Sequence, residues 1–282
     1  YGHTRPAEPR PMSQYATSAR IGLTELAAMK AAGEPAVALT AYDAAFAALI
    51  DSAGVDVVLV GDSVGMVVQG QRTTIPVTVD EMVYHASLVA RGLSRAMLMV
   101  DMPFMSYATA EDALHNATRL MKEGGAEIVK LEWGALQLPM VRRLSECGVP
   151  VCAHLGLTPQ SVFKTGGYRV QGRDDETAAK MRRDAAALTE AGADMLLLEC
   201  VPMTLARQIT EASPVPVIGI GAGPDVDGQI LVLYDILDIA PGKRTRFSKN
   251  YLVNGRTIPD AVAAYAEDVR SRRFPSDEFA FA

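Results

Sequence analysis

The feature that most constrains this chain is the regular alternation of short apolar runs with amphipathic stretches, from about residue 23 onward. The runs are almost wholly apolar, which is typical of parallel strands covered on both faces rather than of a half-exposed sheet. The stretches between them place apolar residues at helical spacing. Eight runs occur, at residues 36–40, 57–61, 97–101, 128–132, 151–154, 195–199, 217–221 and 230–233.

Eight buried strands that alternate with helices predict an α/β protein, specifically a (β/α)₈ TIM barrel. Thr78 and Thr109 are predicted helix starts, because an acidic side chain follows each of them three residues later. The 282 residues suit a single barrel. We expect one catalytic domain over 20–282. Residues 1–19 are rich in Pro, Arg and Ser without apolar periodicity, so a flexible N-terminal extension is expected there.

Charge and composition argue against several classes of function. The net charge of −6 argues against a nucleic-acid partner or an anionic membrane, because phosphate binding needs a clustered basic surface. No apolar run reaches the roughly 18 residues of a membrane span, and the N-terminal residues do not resemble a signal peptide. The three cysteines form no C-x-x-C pair, which predicts reduced thiols without a disulfide framework or zinc site. We expect a cytoplasmic protein that acts on small molecules.

Carboxylates stand at the ends of four apolar runs. In a TIM barrel the carboxyl ends of the strands form the active-site face, so these acids should meet there. A single Asp after a strand is usually a helix cap, but four acids together would repel one another unless a cation or a proton compensates. Oxygen ligands without a His or Cys cluster favour Mg²⁺ over zinc. The four acids are Asp62, Asp101, Glu132 and Glu199.

Lys130 and His154 are predicted to reach the same face. Lys130 and Glu132 are two residues apart on one strand and so point to the same side, where the ammonium could bind a substrate carboxylate or pair structurally with an acid. His154 could bind substrate or orient a neighbouring acid. The glycines of 219–223 follow the seventh run, where barrels often bind phosphate, but this signal is weak alone.

The order and content of several segments resemble the ketopantoate hydroxymethyltransferase family. The resemblance extends from about Leu23 to the C-terminus. The segments include Leu39-Thr-Ala-Tyr-Asp43, Val60-Gly-Asp-Ser-Val-Gly65, Asp101-Met-Pro-Phe104, Lys130-Leu-Glu132, His154-Leu-Gly-Leu-Thr-Pro-Gln-Ser-Val162, Gly166-Gly-Tyr-Arg-Val-Gln-Gly-Arg173 and Leu198-Glu-Cys-Val-Pro202.

The resemblance implies a barrel of the phosphoenolpyruvate/pyruvate-domain type, with Asp62 and Asp101 as Mg²⁺ ligands and Glu132 completing the shell through water. It also implies that Ser63, Lys130 and the two aspartates bind the 2-oxo acid, with Glu199 as proton acceptor. The expected reaction transfers a hydroxymethyl group from 5,10-methylenetetrahydrofolate to 3-methyl-2-oxobutanoate, giving 2-dehydropantoate in pantothenate and coenzyme A synthesis. The family further implies a homo-oligomer, typically a decamer.

The chain departs from the family pattern at a few positions. Trp133 replaces a glycine, Phe163 and Lys164 stand where Asn and an apolar residue are common, and Phe279 replaces a frequent His. An alternative function is a related Mg²⁺-dependent 2-oxo acid aldolase or lyase on the same barrel, which would not need folate. A non-catalytic binding protein is disfavoured, because the chain keeps the four acids and the lysine together.

Overall fold

The barrel strands lie where the apolar runs predicted them, with one exception. The computed structural model describes residues 20–240, 242 and 244–282, so the predicted extension over 1–19 lies outside the described residues. The strands are β1 (Ala36–Thr40), β2 (Val57–Val60), β3 (Met97–Asp101), β4 (Ile128–Leu131), β5 (Val151–Gly156), β6 (Met195–Glu199), β7 (Val217–Ile220) and β8 (Gly228–Leu231).

These strands form one closed parallel barrel in sequence order, with β8 paired to β1. The predicted TIM barrel is confirmed. The eighth strand was predicted two residues too late, because Gly228 and Gln229 interrupt the apolar pattern. A side chain at position 228 would place its Cβ 2.5 Å from the carbonyl oxygen of Ala36, so the strand begins at the residue that allows this close approach.

Helices surround the barrel and connect its strands. The predicted starts are confirmed: the Thr78 hydroxyl accepts a hydrogen bond from the Glu81 amide, and Thr109 does the same for Asp112. No helix in the described residues is both long enough and apolar enough to span a bilayer. The helices are α1 (Leu23–Ala32), α2 (Ala44–Ser52), α3 (Val64–Val67), α4 (Val79–Gly92), α5 (Ala110–Lys122), α6 (Leu138–Glu146), α7 (Val162–Thr165), α8 (Asp175–Glu190), α9 (Met203–Ala212), α10 (Leu233–Ile236) and α11 (Ile258–Arg270).

A ring of acids closes the amino end of the barrel. An acidic residue stands immediately before each even-numbered strand and accepts a hydrogen bond from a main-chain N–H of the preceding odd-numbered strand. Each bond measures 2.9 Å. These carboxylates satisfy amides at the edge of the ladder, so their role is structural. The pairs are Asp56 with Val37, Glu127 with Leu98, Asp194 with Val151, and Asp227 with Val217.

Candidate active site

The four predicted acids meet at the opposite, carboxyl end of the barrel. Glu132 immediately follows β4 and Asp62 follows β2 after one glycine, whereas Asp101 and Glu199 are the last residues of β3 and β6. All four line one cavity of about 540 Å³, together with Lys130. Asp62, Asp101 and Glu132 are buried, while the Glu199 side chain keeps 14% of its surface exposed. The two ends of the barrel thus carry acids in different surroundings.

Asp62 and Asp101 are held together by the main chain. The Asp62 amide donates to Asp101 Oδ2 over 3.0 Å. Lys130 Nζ lies 3.0 Å from Asp101 Oδ1 and forms an ion pair with it. The angles of this contact do not suit a hydrogen bond, so Oδ1 has no hydrogen-bond partner. The register of β3 and β4 aligns Asp101 with Lys130, which explains why their side chains meet.

Burial and mutual repulsion control the ionisation of this cluster. Burial raises the pKa of Asp62 well above its ordinary value, and the charges of Asp101 and Glu132 raise it further. Burial also raises the pKa of Asp101, although the Lys130 ammonium opposes the shift. Burial lowers the pKa of Lys130, but the three surrounding carboxylates outweigh it and keep the lysine charged. When all three carboxylates are ionised, the cluster therefore carries more negative charge than one ammonium balances.

His154 lies between Glu132 and Glu199. Its Nδ1 is 3.3 Å from Glu132 Oε1 and its Nε2 is 3.3 Å from Glu199 Oε2. Lys130 Nζ also lies 3.3 Å from Nδ1. Burial and the lysine charge lower the pKa of His154, but its contacts with the two glutamates outweigh them and leave the pKa above its ordinary value. The imidazole thus connects Glu199 to the buried cluster.

Ser63 lines the cavity next to Asp62, where its hydroxyl shares a 2.9 Å hydrogen bond with the Tyr42 hydroxyl. Sequence reasoning missed Tyr42 as well as Gln160, which donates to Asp62 Oδ2 over 2.9 Å. Both residues lie in segments that carried the family resemblance. Neither has a residue type that signals chemistry alone, so the available signal was their position beside predicted site residues.

The departures from the family pattern lie outside this cavity. Trp133 and Phe163 line a second cavity, and the Trp133 ring packs 4.4 Å from the ring of Tyr107. Phe279 packs against Phe274, at a centroid distance of 5.6 Å. Phe281 is the C-terminal aromatic residue that lines the main cavity. The unusual aromatic residues therefore do not line the cavity that holds the acid cluster.

The donor set fits a hard divalent cation bound by few protein ligands. Within the described residues, no three His, Cys, Asp or Glu side chains are grouped so as to hold a metal by themselves. Asp101 Oδ1 is buried without a hydrogen bond, and Asp62 lies beside it. Both Glu132 oxygens are engaged, with His154 and with the Gln160 amide. Two carboxylates completed by water and substrate oxygens are a common Mg²⁺ arrangement.

A closed parallel barrel with buried acids and a lysine at the carboxyl ends of its strands defines this protein as a TIM-barrel enzyme. Solved structures with the same fold include a phosphonopyruvate hydrolase (TM-score 0.58, 15% identity, covering 75% of this chain and 80% of that chain). A 2,3-dimethylmalate lyase of the PEP mutase/isocitrate lyase superfamily is another (TM-score 0.52, 18% identity, covering 74% and 80%).

The chain belongs to the ketopantoate hydroxymethyltransferase family, whose model matches residues 20–277, and it is an enzyme of that type. Two relatives carry the name 3-methyl-2-oxobutanoate hydroxymethyltransferase. The one from Alkalilimnicola ehrlichii is 59% identical over 90% of this chain and 91% of its own length. The one from Nitrosococcus oceani is 55% identical over 93% of this chain and 99% of its own length. These matches confirm the resemblance found in the sequence.

Proposed function

We propose that this enzyme transfers a hydroxymethyl group from 5,10-methylenetetrahydrofolate to 3-methyl-2-oxobutanoate, giving 2-dehydropantoate for pantothenate and coenzyme A synthesis. The observation that carries the proposal is the buried cluster of Asp62, Asp101 and Lys130 inside a cavity large enough for a small acid. Such a cluster suits an anionic substrate that chelates a cation. Family membership supports the choice of reaction.

Asp62 and Asp101 would hold Mg²⁺, with Glu132 contributing through water, because both Glu132 oxygens already have protein partners. When bound, the cation supplies Lewis acidity that favours the enolate form of a 2-oxo acid. A phosphonopyruvate hydrolase of the same fold was solved with oxalate and Mg²⁺, and oxalate offers adjacent oxygens as a 2-oxo acid does. That neighbour supports the choice of metal and of ligand chemistry.

Lys130, Ser63 and His154 would bind and orient the oxo acid. The ammonium of Lys130 is the cation within the cluster, so it is the natural partner of the substrate carboxylate. Ser63 presents a hydroxyl to the same cavity and is held by Tyr42. His154 contacts Glu199 and can hold that carboxylate in a fixed orientation. Together with Asp62 and Asp101, these residues would determine which carbon of the substrate faces Glu199.

Glu199 would remove the proton from C3 of the oxo acid. It is the least buried of the four acids, and its contact in the cluster is with His154 rather than with Lys130. A carboxylate that is free of strong pairing can accept a proton within hydrogen-bond reach. The C3 carbon then forms a bond to the folate methylene carbon, and both bonds from that carbon to the folate nitrogens N5 and N10 break. Water supplies the hydroxyl group, and the proton taken from C3 and the second proton of the water go to the two nitrogens.

The outer part of the cavity suits the folate donor. It is lined by aromatic and cationic side chains, which match a flat pterin ring and the carboxylates of a glutamate tail. Arg246 already lies over the ring of Phe281, with its guanidinium carbon 5.4 Å from the centroid. The lining residues of this part are Tyr168, Arg169, Arg244, Arg246, Phe247 and Phe281.

Self-association into a homo-oligomer, a decamer as is typical of the family, is part of the proposal. Phe163 and Leu136 expose 77% and 74% of their surface beside the second cavity. Large exposed apolar groups that lie together are typical of surfaces covered by a partner. Analytical ultracentrifugation measures the subunit number directly, and a monomer at micromolar concentration would contradict this part.

The decisive assay combines purified protein with 3-methyl-2-oxobutanoate and 5,10-methylenetetrahydrofolate, with and without Mg²⁺. We expect 2-dehydropantoate only when all three are present, and loss of product after chelation. Turnover of a 2-oxo acid without folate would favour the aldolase or lyase alternative. Full activity in metal-free buffer would contradict the assignment of Asp62 and Asp101.

A further inference from the structure

Gln160 is a buried glutamine at the centre of a hydrogen-bond network that joins two of the active-site acids. It lies in a short 3₁₀ turn, Pro159–Ser161, after β5, and only 2% of its surface is exposed. Its side-chain Nε2 donates to Asp62 Oδ2 and to the carbonyl oxygen of Met102, both over 2.9 Å. Its main-chain N–H donates to Glu132 Oε2 over 3.1 Å. One residue therefore contacts both acids.

The orientation of the Gln160 amide is determined by its neighbours. Its Oε1 accepts a hydrogen bond from the Tyr107 hydroxyl over 2.6 Å, and that hydroxyl accepts one from the Glu132 amide over 3.1 Å. Two acceptors face the NH₂ group and one donor faces the oxygen, so a rotated amide would lose all three bonds. The Trp133 ring packs on Tyr107 and restricts its movement.

We propose that Gln160 is a positioning residue for the cation: it holds Asp62 Oδ2 by hydrogen bonding, so that Oδ1 is the oxygen that binds Mg²⁺. Within the described residues, Asp62 Oδ1 accepts no hydrogen bond. Partners behind a metal ligand select its orientation and reduce the reorganisation that binding requires. This role rests on the proposed function, because it assumes that Asp62 is a ligand.

The contact pattern separates this role from simple packing. A glutamine that served only to bridge loops would be satisfied by Met102 and Tyr107. The Gln160 side chain also donates a hydrogen bond to a buried carboxylate, Asp62, which lies 98 residues earlier in the chain. The Gln160 main chain also supports Glu132, the acid that contacts His154. Loss of the Gln160 amide should therefore weaken metal binding by more than the accompanying loss of protein stability would explain.

The test compares Gln160→Met with a matched control, Gln229→Met. Gln229 is a buried glutamine of β8, and its amide donates to the Gly223 carbonyl over 2.9 Å, away from the acids. Both substitutions remove an amide and keep the chain length. Mn²⁺ is the probe, and its binding to each substrate-free protein is measured by electron paramagnetic resonance. Melting temperatures in metal-free buffer report the loss of stability for each variant.

We expect Gln160→Met to weaken Mn²⁺ binding by about 10- to 100-fold. Gln229→Met should leave it within about twofold, because distant sites are nearly independent. At saturating metal, the kcat of Gln160→Met should return toward the wild-type value, although its metal affinity stays low. Equal metal affinity in wild type and Gln160→Met would overturn the proposal, as would equal weakening in both variants.

A second variant keeps the test informative if Gln160→Met does not fold. Tyr107→Phe removes only the hydroxyl that orients the amide, and it should weaken Mn²⁺ binding less than Gln160→Met but measurably. Unchanged binding in Tyr107→Phe would then overturn the role of the network. If wild-type protein itself binds no Mn²⁺ or Mg²⁺, the metal part of the proposed function fails first, and the positioning role fails with it.

Discussion

Lys130 Nζ and Asp101 Oδ1 lie 3.0 Å apart at the carboxyl end of the barrel, and both side chains are almost completely buried. The lysine faces three carboxylates, which keep it charged. One ammonium cannot neutralise three carboxylates. An anionic ligand should therefore bind beside Lys130 only together with another cation. The predictions below follow from this charge imbalance and from the groups that surround it.

The substitution Lys130→Met should weaken oxo-acid binding by about 10- to 100-fold, because a hydrogen bond to a charged group contributes about 1.5 to 3 kcal/mol. Binding of tetrahydrofolate should change much less. Calorimetric titration with each ligand separates the two effects. Lys180→Met removes an exposed lysine that pairs with Asp184, and serves as the control. Equal weakening of both ligands by Lys130→Met would indicate a purely structural lysine.

Replacing Asp62 with Asn should have opposite effects on activity and on the stability of metal-free protein. Activity should fall by about 10²-fold or more, since a Lewis acid contributes several kcal/mol. The raised pKa of Asp62 means that folding disfavours its charge at neutral pH, so Asn should leave the metal-free protein at least as stable as wild type.

The control for Asp62→Asn is Asp56→Asn at the amino end of the barrel. Asp56 pairs with Arg95 and Arg270 and accepts from the Val37 amide, so its loss should cost about 2 kcal/mol without changing Mg²⁺ binding. Thermal melts with and without Mg²⁺ measure both effects. A destabilised Asp62→Asn protein that still gains stability from Mg²⁺ would contradict the assignment.

Proton removal should be separable from one-carbon transfer. With Mg²⁺ in D₂O, wild-type protein should exchange the C3 hydrogen of 3-methyl-2-oxobutanoate for deuterium without folate, as followed by NMR. Glu199→Gln should slow this exchange by about 10²- to 10⁴-fold while oxo-acid binding persists, because the amide cannot accept the proton. Undiminished exchange would move the base role to His154, which contacts Glu199.

The pH dependence of stability should reveal Asp235, which lines the cavity on α10. Burial raises its pKa to about 6. A raised folded-state pKa adds stability that is fully present below the unfolded value near 4 and is lost as the pH rises through 6. Asp235→Asn removes this loss. From pH 4.5 to pH 7.5 the variant should gain about 1 to 2 kcal/mol relative to wild type, after allowance for partial exposure.

Urea denaturation at the two pH values measures this difference. Parallel stability profiles for wild type and Asp235→Asn would show that the carboxylate has the same pKa in the folded and unfolded chain.

Much of the fold could be predicted because its signals are local. The apolar runs placed seven strands closely, since side chains buried on both faces of a strand must be apolar. The start of β8 was predicted two residues too late, because the strand begins with Gly228 and Gln229, which are not apolar side chains. Gly228 is required there by the close approach of the Ala36 carbonyl oxygen. The meeting of the acids at the strand ends could likewise be predicted, because parallel strands bring their carboxyl ends to one face.

The sequence by itself determined the barrel and the face on which Asp62, Asp101, Glu132 and Glu199 meet, because both follow from the order of strands and the residues at their ends. Only the tertiary structure decided which oxygens face one another. Gln160 reaches Asp62 across 98 residues, and the Trp133 ring packs on the ring of Tyr107. These contacts depend on the path of loops after barrel closure, and a loop path has no periodic pattern in the sequence to reveal it.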